Sequence, residues 1–271
     1  MARKLIKRFL DTEDGQIFYQ IGGEGKPLIL LHRHPLSSVE YREIIPFLMQ
    51  NKTIIAVDLL GSGNSDKPPR EYTIADYAQN IITLMDSLSI SKASIMGNHL
   101  GSFIAGEIAA NYRDRVEKII LCNIDLYNQD KLNEFSDRFA EAFKIQADGS
   151  NLMSRRSLHQ SYANDPELTH LYFLEELKCH GYPPYGVIAV QKYLDSIPEK
   201  YKKIQSPTLI LSATEDLKMM SKYGLSGVEN REDFLKIIPH STMLNIEGGT
   251  IGLINQMPEK IAKIVLDFLE N

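Results

Sequence analysis

The sequence ASIMGNHLGS, residues 93–102, decides the fold. Its apolar first part predicts a short buried strand, and the residues that follow, 102–112, have the composition of a helix. Gly97 and Gly101 flank His99 at the junction, where small residues are needed for the helix to pack tightly against the strand. We therefore predict a sharp, strained turn that exposes His99 at the carboxyl end of a strand, above a helix N terminus.

Apolar segments of strand length alternate with helical patterns along most of the chain, which is typical of a mostly parallel sheet with helices on both faces. The expected strands are 27–31, 53–58, 93–96, 116–121, 207–212 and 243–246. An antiparallel hairpin, 5–10 with 16–21, is expected around an Asp-Gly turn and brings the sheet to eight strands. Helices are expected at 38–49, 74–88, 102–112 and 258–269.

The strand pattern is interrupted between residues 127 and 204, where the sequence is helical and contains turn signals but no good strand. A helical block between two strands of one sheet is typical of a cap over the carboxyl edge, where open α/β sheets bind ligands. We therefore predict an α/β core formed by 1–126 and 205–271, and an inserted helical cap at 127–204.

The composition excludes several classes of protein. The 271 residues are 43% hydrophobic and 24% charged with a net charge of −5, so they offer no basic face to nucleic acid. The longest apolar runs, such as Leu28–Leu31, are far below the ~20 residues that cross a membrane, and the basic N-terminal run lacks a signal-peptide pattern. With both cysteines expected to stay reduced, we predict a cytoplasmic monomer or homodimer that acts on a small molecule.

Three short motifs follow three successive strands: LLHRHP at 30–35, DLLGSGNS at 58–65 and GNHLG at 97–101. In this order and spacing they resemble the α/β-hydrolase superfamily, over essentially the whole chain. The run DKPP at 66–69 and the pair Gly101-Ser102 are similar to the haloalkane dehalogenase and epoxide hydrolase branch. The resemblance implies an α/β-hydrolase fold with a nucleophile elbow, an oxyanion hole and a cap domain.

The sequence departs from the family pattern at two of the three catalytic positions. The resemblance puts the family's nucleophile, usually Ser and sometimes Asp or Cys, where this chain has His99. The family's catalytic histidine aligns with Thr250, and His240 precedes the last strand, at the wrong edge of the sheet. The catalytic acid aligns with Asp216, with Asp125 as the alternative position used in the dehalogenase-like branch. A Ser-His-Asp triad cannot be assembled from these residues.

The loop after the first parallel strand also differs from the family, in which it begins His-Gly. The resemblance implies that His32 braces this loop and that the side chain of His34 faces the pocket. The backbone N–H groups of His34 and Leu100 would form the oxyanion hole, since main-chain donors survive side-chain changes. Arg33 replaces the usual glycine, and its direction, toward pocket or solvent, is open.

A metal site is a further hypothesis, although no cofactor is our expectation. On extended backbone, His32 and His34 would point to one side, near His99 on an adjacent strand end. Three imidazoles with Asp216 form a ligand set for zinc or iron(II).

Two functions remain open at this point. In the first, the chain is an enzyme in which His99, oriented by Asp216, acts as general base or nucleophile on a small carbonyl or acyl compound, by hydrolysis or by lyase or cyclisation chemistry. In the second, it is a catalytically inactive homologue that serves as a small-molecule receptor or binding module, and His99 is vestigial. The cap adds candidate pocket residues, none of which the sequence singles out: Tyr162, His159, His170, His180, Tyr182 and Tyr185.

Overall fold

A sheet lies at the centre of the protein in the computed structural model, which describes residues 4–142, 144–163, 165–179 and 185–271. In these residues the sheet has eight strands in the order β1-β2-β4-β3-β5-β6-β7-β8. The strands are β1 (Ile6–Thr12), β2 (Gly15–Gly23), β3 (Lys26–Leu31), β4 (Lys52–Val57), β5 (Ala93–Asn98), β6 (Val116–Cys122), β7 (Thr208–Ala213) and β8 (Ser241–Ile246). β2 pairs antiparallel with β1 and β4, and all other pairs are parallel. The predicted hairpin and the mostly parallel sheet are confirmed.

Helices cover both faces of this sheet. They are α1 (Ile45–Leu48), α2 (Ile74–Ser87), α3 (Leu100–Asn111), α4 (Gln129–Ala142), α5 (Ser150–Ala163), α6 (Pro166–Leu177), α7 (Tyr185–Tyr193), α8 (Ile197–Tyr201), α9 (Thr214–Lys222), α10 (Val228–Ile237), α11 (Leu253–Gln256) and α12 (Pro258–Glu270). None of the helices in the described residues is long and apolar enough to cross a membrane.

Two hydrophobic cores result from the alternation of side chains along the strands. In β3, Ile29 and Leu31 join the core that contains α2 and α3, whereas Leu28 and Leu30 join the core that contains α1 and α12. All four side chains are buried, as expected for a parallel strand covered on both faces. The two cores together keep the carboxyl ends of the strands in fixed positions.

The prediction of one continuous helix over 38–49 is wrong. The structure has a 3-10 turn at Ser38–Tyr41 and the separate, short α1. Pro46 lies in the first turn of α1, where the N–H group that proline lacks is not needed by the helix. The same proline cannot continue a helix from the preceding residues, so the segment breaks in two.

The described residues between β6 and β7 form α4 to α8 and no strand, in agreement with the predicted helical block. The last of these helices packs on α3 rather than over the strand ends: the Tyr201 hydroxyl donates to the Phe103 carbonyl at 3.3 Å. A Cβ atom on Gly106 would lie 2.2 Å from that hydroxyl, so a larger residue there would require the Tyr201 ring to move. The cap boundaries at 127 and 204 stay a prediction.

The turn between β5 and α3 has the predicted strained geometry. His99 has φ 44° and ψ −110°, a region that residues with a side chain rarely adopt. A Cβ atom on Gly97 would lie 2.1 Å from the Gly101 carbonyl oxygen, and one on Gly101 would lie 1.9 Å from the Leu31 carbonyl oxygen. The backbone of α3 therefore contacts β3 and β5 directly.

We predict that Gly101→Ala lowers the free energy of unfolding by about 3 kcal/mol or more, because the new methyl group meets rigid backbone. Urea denaturation followed by circular dichroism measures this loss. Gly227→Ala is the matched control, since its Cβ atom would be 3.5 Å from the nearest atom, an ordinary contact. Equal stability of the two variants would contradict the prediction.

Candidate active site

A cavity of about 350 Å³ lies between the turn at His99 and the helices that connect β6 to β7. His34, His99 and Ile251 contribute to its wall from the strand ends, and further lining side chains come from α3, α4, α5, α7 and α9 and from the loops beside them. Most of the lining side chains are apolar, among them Leu100, Phe103, Leu132, Val190, Met220 and Leu225. A cavity with apolar walls and a few polar groups is typical of a small-molecule site.

The predicted partners His99 and Asp216 are brought together. The Nε2 atom of His99 lies 3.6 Å from Asp216 Oδ1, and its Nδ1 atom lies 3.3 Å from the hydroxyl oxygen of Tyr127. The His99 side chain is 12% exposed and that of Asp216 is fully buried, so the imidazole stands between the carboxylate and the cavity. Its two ring nitrogens thus have different neighbours, one charged and one neutral.

Asp216 is held in place by Arg231, which the sequence had not singled out. Arg231 Nη2 donates to Asp216 Oδ2 at 2.5 Å and to Asp125 Oδ2 at 2.9 Å, and Arg231 Nε donates to Asp125 Oδ1 at 2.7 Å. Burial alone would raise the pKa of Asp216, but His99 and Arg231 together hold that pKa below its usual value. The carboxylate is therefore charged at neutral pH.

The alternative acid, Asp125, does not face His99. Its carboxylate oxygens accept hydrogen bonds from Arg231 and from the Ser226 hydroxyl, and the residue is fully buried outside the cavity wall. The expectation of Asp125 as the residue that orients the histidine is wrong. Asp125 influences the site by helping to position Arg231, because one guanidinium group can pair with two carboxylates at once.

Arg33 points inward, which answers the question that the sequence left open. Its Nη1 atom donates to Glu40 Oε1 at 2.7 Å and to the Ile251 carbonyl at 2.8 Å, and its backbone N–H donates to Glu40 Oε2. Asn98 also donates to Glu40 Oε1, at 2.9 Å. One buried carboxylate thus connects the loop that follows β3 with the end of β5, and through Arg33 with the loop that follows β8.

The metal hypothesis is wrong in its use of His32. Leu59 N–H donates to His32 Nε2 at 3.0 Å, and His32 Nδ1 lies 2.7 Å from the Arg33 carbonyl oxygen, so both ring nitrogens are engaged. The ring joins the loops after β3 and β4, which is the bracing role the resemblance implies. Within the ranges that the structure describes, no group of three or more His, Cys, Asp or Glu side chains is arranged to hold a metal ion.

Thr250, the position aligned with the family's catalytic histidine, is not part of the cavity wall. Its hydroxyl donates to Gln256 Oε1 and accepts from the Gly252 N–H, so it closes a turn before α11. The next residue, Ile251, lines the cavity instead. His240 lies just before β8, at the opposite edge of the sheet, as expected. Thr250 as a site residue is therefore wrong.

His34 and Leu100, the predicted oxyanion-hole residues, both line the cavity. A Cβ atom on Gly186 would lie 2.8 Å from Leu100 Cδ2 and 3.0 Å from His34 Cβ. The helix α7 therefore packs closely against Leu100 and against His34 in the loop that follows β3. Burial, together with nearby His32 and Arg155, lowers the pKa of His34 to about 3. The imidazole of His34 is therefore neutral, while the oxyanion hole itself stays a prediction.

Several residues that build the site gave no signal in the sequence: Tyr127, Arg231, Glu40, Arg155 and Glu176. Their contacts with Asn98, His99 and Asp216, and with one another, join separate segments of the chain, so no local motif contains them. Among the candidate pocket residues of the cap, His159 lines the cavity, whereas His170 is exposed and Tyr185 is not in the wall. The Tyr162 side chain, His180 and Tyr182 lie outside the described residues.

The low pKa of His34 predicts a loss of stability in acid. Below pH ~6.5 the unfolded chain binds a proton at residue 34 that the native protein, with a pKa near 3, does not bind. The contribution of His34 to the free energy of unfolding is fully present above pH ~6.5 and is lost progressively as the pH decreases toward 3. At pH 5 we expect the wild type to have lost about 2 kcal/mol more than His34→Asn has.

Urea denaturation at pH 7.5 and pH 5 measures this difference. His170→Asn, a change at an exposed histidine, is the matched control and should follow the wild type. A His34→Asn variant with the same acid sensitivity as the wild type would contradict the assignment.

Comparison with known proteins places the sequence among relatives of this fold. A family model described as alpha/beta hydrolase fold matches residues 26–249. The soluble epoxide hydrolase of a Corynebacterium species is 34% identical over 109 residues, 40% of this chain and 38% of that protein. Haloalkane dehalogenase 2 of Mycobacterium tuberculosis is 33% identical over 126 residues, 46% of this chain and 44% of that protein. The matched chain spans less than half the length of these relatives.

Solved structures are similar over almost the whole chain. The structure of a bromoperoxidase from Bacillus anthracis has a TM-score of 0.79 at 20% identity, covering 99% of this chain and 100% of that one. At this identity the similarity concerns the fold alone.

Proposed function

Because the chain belongs to the α/β hydrolase fold family, we propose that it is a hydrolase-class enzyme that uses His99 in place of a serine nucleophile. Its substrate is a small carbonyl or acyl compound bound in the cavity beneath α4 and α7. His99 acts as the general base, Asp216 orients its imidazole, and the N–H groups of His34 and Leu100 stabilise the oxyanion.

The observation that carries this proposal is the contact between His99 and Asp216, 3.6 Å apart, at the turn where the family has its nucleophile. A carboxylate beside one ring nitrogen favours the tautomer that has its proton on that nitrogen. The proton then lies on Nε2, facing Asp216, and the lone pair lies on Nδ1, which faces the Tyr127 hydroxyl. In this state Nδ1 accepts a hydrogen bond from the Tyr127 hydroxyl, and it is the nitrogen that takes up a proton once a water molecule replaces that hydroxyl.

The charges behind His99 support its role as a base. Arg231 carries one positive charge and is paired with two buried carboxylates, Asp125 and Asp216, so the cluster has one negative charge in excess. When His99 accepts a proton, the new positive charge neutralises this excess in a buried site, where electrostatic interactions are stronger than in water. Asp216 is then the carboxylate beside the imidazolium.

In hydrolysis, His99 Nδ1 removes a proton from a water molecule while that water forms a bond to the substrate carbonyl carbon. The carbonyl π electrons move to oxygen, where the N–H groups of His34 and Leu100 donate hydrogen bonds to the oxyanion. As the oxyanion collapses, the bond to the leaving group breaks, and the imidazolium of His99 returns the proton to that group. The imidazole is then neutral again, and the products are an acid and an alcohol or amine.

The same groups support lyase or cyclisation chemistry, in which His99 removes a proton from the substrate itself and the oxyanion hole holds the resulting negative charge. His99 as the nucleophile is a further route, because a neutral imidazole needs no base to attack an acyl group. Mass spectrometry of an acid-quenched reaction distinguishes this route, since an acyl group would be found on His99.

We predict that His99→Ala reduces kcat for 4-nitrophenyl acetate by about 100-fold or more while the protein stays folded, because the variant has no base at the turn. The rate of 4-nitrophenolate release and the circular dichroism spectrum measure the two expectations. His170→Ala, a change at an exposed histidine, is the matched control and should keep the wild-type rate. Full activity of His99→Ala would end the proposal.

The competing function is a small-molecule receptor without catalysis, which Ile251 in the cavity wall favours because the family has a catalytic histidine on that loop. A receptor would release 4-nitrophenolate no faster than a solution of free imidazole, with or without His99. A wild-type rate that is no faster than free imidazole, and that is unchanged in His99→Ala, therefore favours the receptor over the enzyme.

Asp216→Asn tests the orienting carboxylate. We expect kcat for the same ester to fall by about 100-fold with little change in KM, because the amide cannot stabilise the imidazolium. Asp233→Asn, which removes an exposed carboxylate paired with Lys236, is the control. An unchanged kcat for Asp216→Asn would show that His99 works without this partner.

A further inference from the structure

Tyr127 lines the cavity and brings a hydroxyl group to the proposed base. It lies in the loop between β6 and α4, and its hydroxyl oxygen is 3.3 Å from His99 Nδ1. Among the residues that the structure describes, His99 is the one hydrogen-bond partner of this hydroxyl. A hydroxyl that loses its partner in an apolar cavity costs free energy. When water replaces the hydroxyl at Nδ1, the Tyr127 O–H group therefore needs a new acceptor.

The position of Tyr127 is fixed by its backbone and by its ring. The next residue, Asn128, donates its N–H to the Leu225 carbonyl at 2.8 Å. The Tyr127 ring packs on Phe103, with the two ring centroids 6.2 Å apart, and Phe103 is itself buried. The hydroxyl therefore stays close to His99, and rotation about its C–O bond is enough to turn the O–H group from Nδ1 to a ligand in the cavity.

The Tyr127 hydroxyl is a hydrogen-bond donor and not a base. Burial raises the pKa of Tyr127 well above its usual value, and the negative charges of Asp125 and Asp216 raise it further, against the effect of Arg231. The hydroxyl therefore keeps its proton and cannot take one from water in place of His99. A neutral donor held beside the reaction centre is suited to stabilise negative charge that develops on a substrate atom.

The leaving-group atom is the substrate atom that best matches this donor. In the proposed reaction the carbonyl oxygen is held by the N–H groups of His34 and Leu100, so it is already paired. The leaving-group atom must come within hydrogen-bond reach of His99 Nδ1 to receive the proton. Because only 3.3 Å separates Nδ1 from the Tyr127 hydroxyl oxygen, an atom in that place lies close to the hydroxyl as well.

We propose that Tyr127 is a catalytic residue that donates a hydrogen bond to the leaving-group oxygen of an ester of an aliphatic alcohol. As the oxyanion collapses, the C–O bond breaks, its electron pair goes to the leaving oxygen, and the proton on His99 Nδ1 joins that oxygen, while Tyr127 keeps its own proton. An ester oxygen has two lone pairs, one for each donor, whereas an amide nitrogen has only one. An alkoxide is a poor leaving group, so it gains most from the second donor. This assignment rests on the proposed function.

Tyr127→Phe, measured with 4-nitrobenzyl acetate and 4-nitrophenyl acetate, tests the proposal. The two esters differ by one methylene group, but the first releases an alcohol, whereas the second releases a phenolate whose charge spreads over the ring and the nitro group. We expect kcat for the benzyl ester to fall about 100-fold and kcat for the phenyl ester to fall about 3-fold or less. Liquid chromatography of 4-nitrobenzyl alcohol and the absorbance of 4-nitrophenolate give the two rates.

The difference between the two esters separates a catalytic role from a structural one. A hydroxyl that only positions His99 would slow both esters alike when it is removed. Equal changes in the two kcat values, in either direction, or no change in either, therefore overturn the assignment. Tyr112→Phe is the matched control, because it removes a hydroxyl that donates to Gln79 at 2.8 Å beyond the other end of α3. This variant should keep the wild-type rate with both esters.

Two further measurements separate failure of this proposal from failure of the proposed function. His99→Ala should lose hydrolysis of both esters, and normal hydrolysis in this variant contradicts the proposed function. Lost hydrolysis in His99→Ala, together with equal changes for the two esters in Tyr127→Phe, contradicts the role of Tyr127 alone. A wild type that hydrolyses N-(4-nitrobenzyl)acetamide as fast as 4-nitrobenzyl acetate overturns the restriction to oxygen esters, and a wild type that hydrolyses neither ester contradicts both proposals.

Discussion

The close approach of α3 to the sheet is the constraint on which the rest of the structure depends. The backbone of Gly101 contacts the Leu31 carbonyl, and this leaves no room for a side chain at the start of the helix. To enter α3 in that position the chain must pass through a positive φ at His99, which carries the imidazole away from both cores and into the cavity. The close packing of α3 on the sheet and the exposure of His99 therefore have the same geometric cause. Because the His99 side chain points into the cavity, a large residue is tolerated at the strained position.

Much of the fold could be predicted because its signals are local. The glycines around His99, the Asp-Gly hairpin and the apolar strands each lie within a few residues, and the pairing of His99 with Asp216 follows once both are placed at strand ends. The direction of Arg33 could not be predicted, since it depends on Glu40 and on a carbonyl more than two hundred positions away in the chain. The errors at Thr250 and Asp125 have the same origin: an alignment gives the position of a residue along a loop, but hydrogen bonds decide where its side chain points.

Buried polar groups connect the strand ends into one unit. Glu40 accepts from Asn98, Asn123 donates to Asn98 Oδ1 at 3.4 Å, and the Ala213 N–H donates to Asn123 Oδ1 at 3.0 Å. This series crosses the carboxyl edge of the sheet from the loop after β3 to the end of β7, and each of its side chains is fully buried. Such networks are stable only when nearly all donors and acceptors are satisfied, so each member constrains the others.

The Glu40 carboxylate has a consequence for the thermodynamics of ligand binding. The loops after β3 and β8 and the end of β5 meet at its two oxygens or at the side chains it holds, so the floor of the cavity is ordered before any ligand arrives. The conformational entropy of these loops is lost during folding and does not reduce the affinity for a ligand. Adjustment to molecules of different shape is then left to the helices between β6 and β7, whose side chains form the roof.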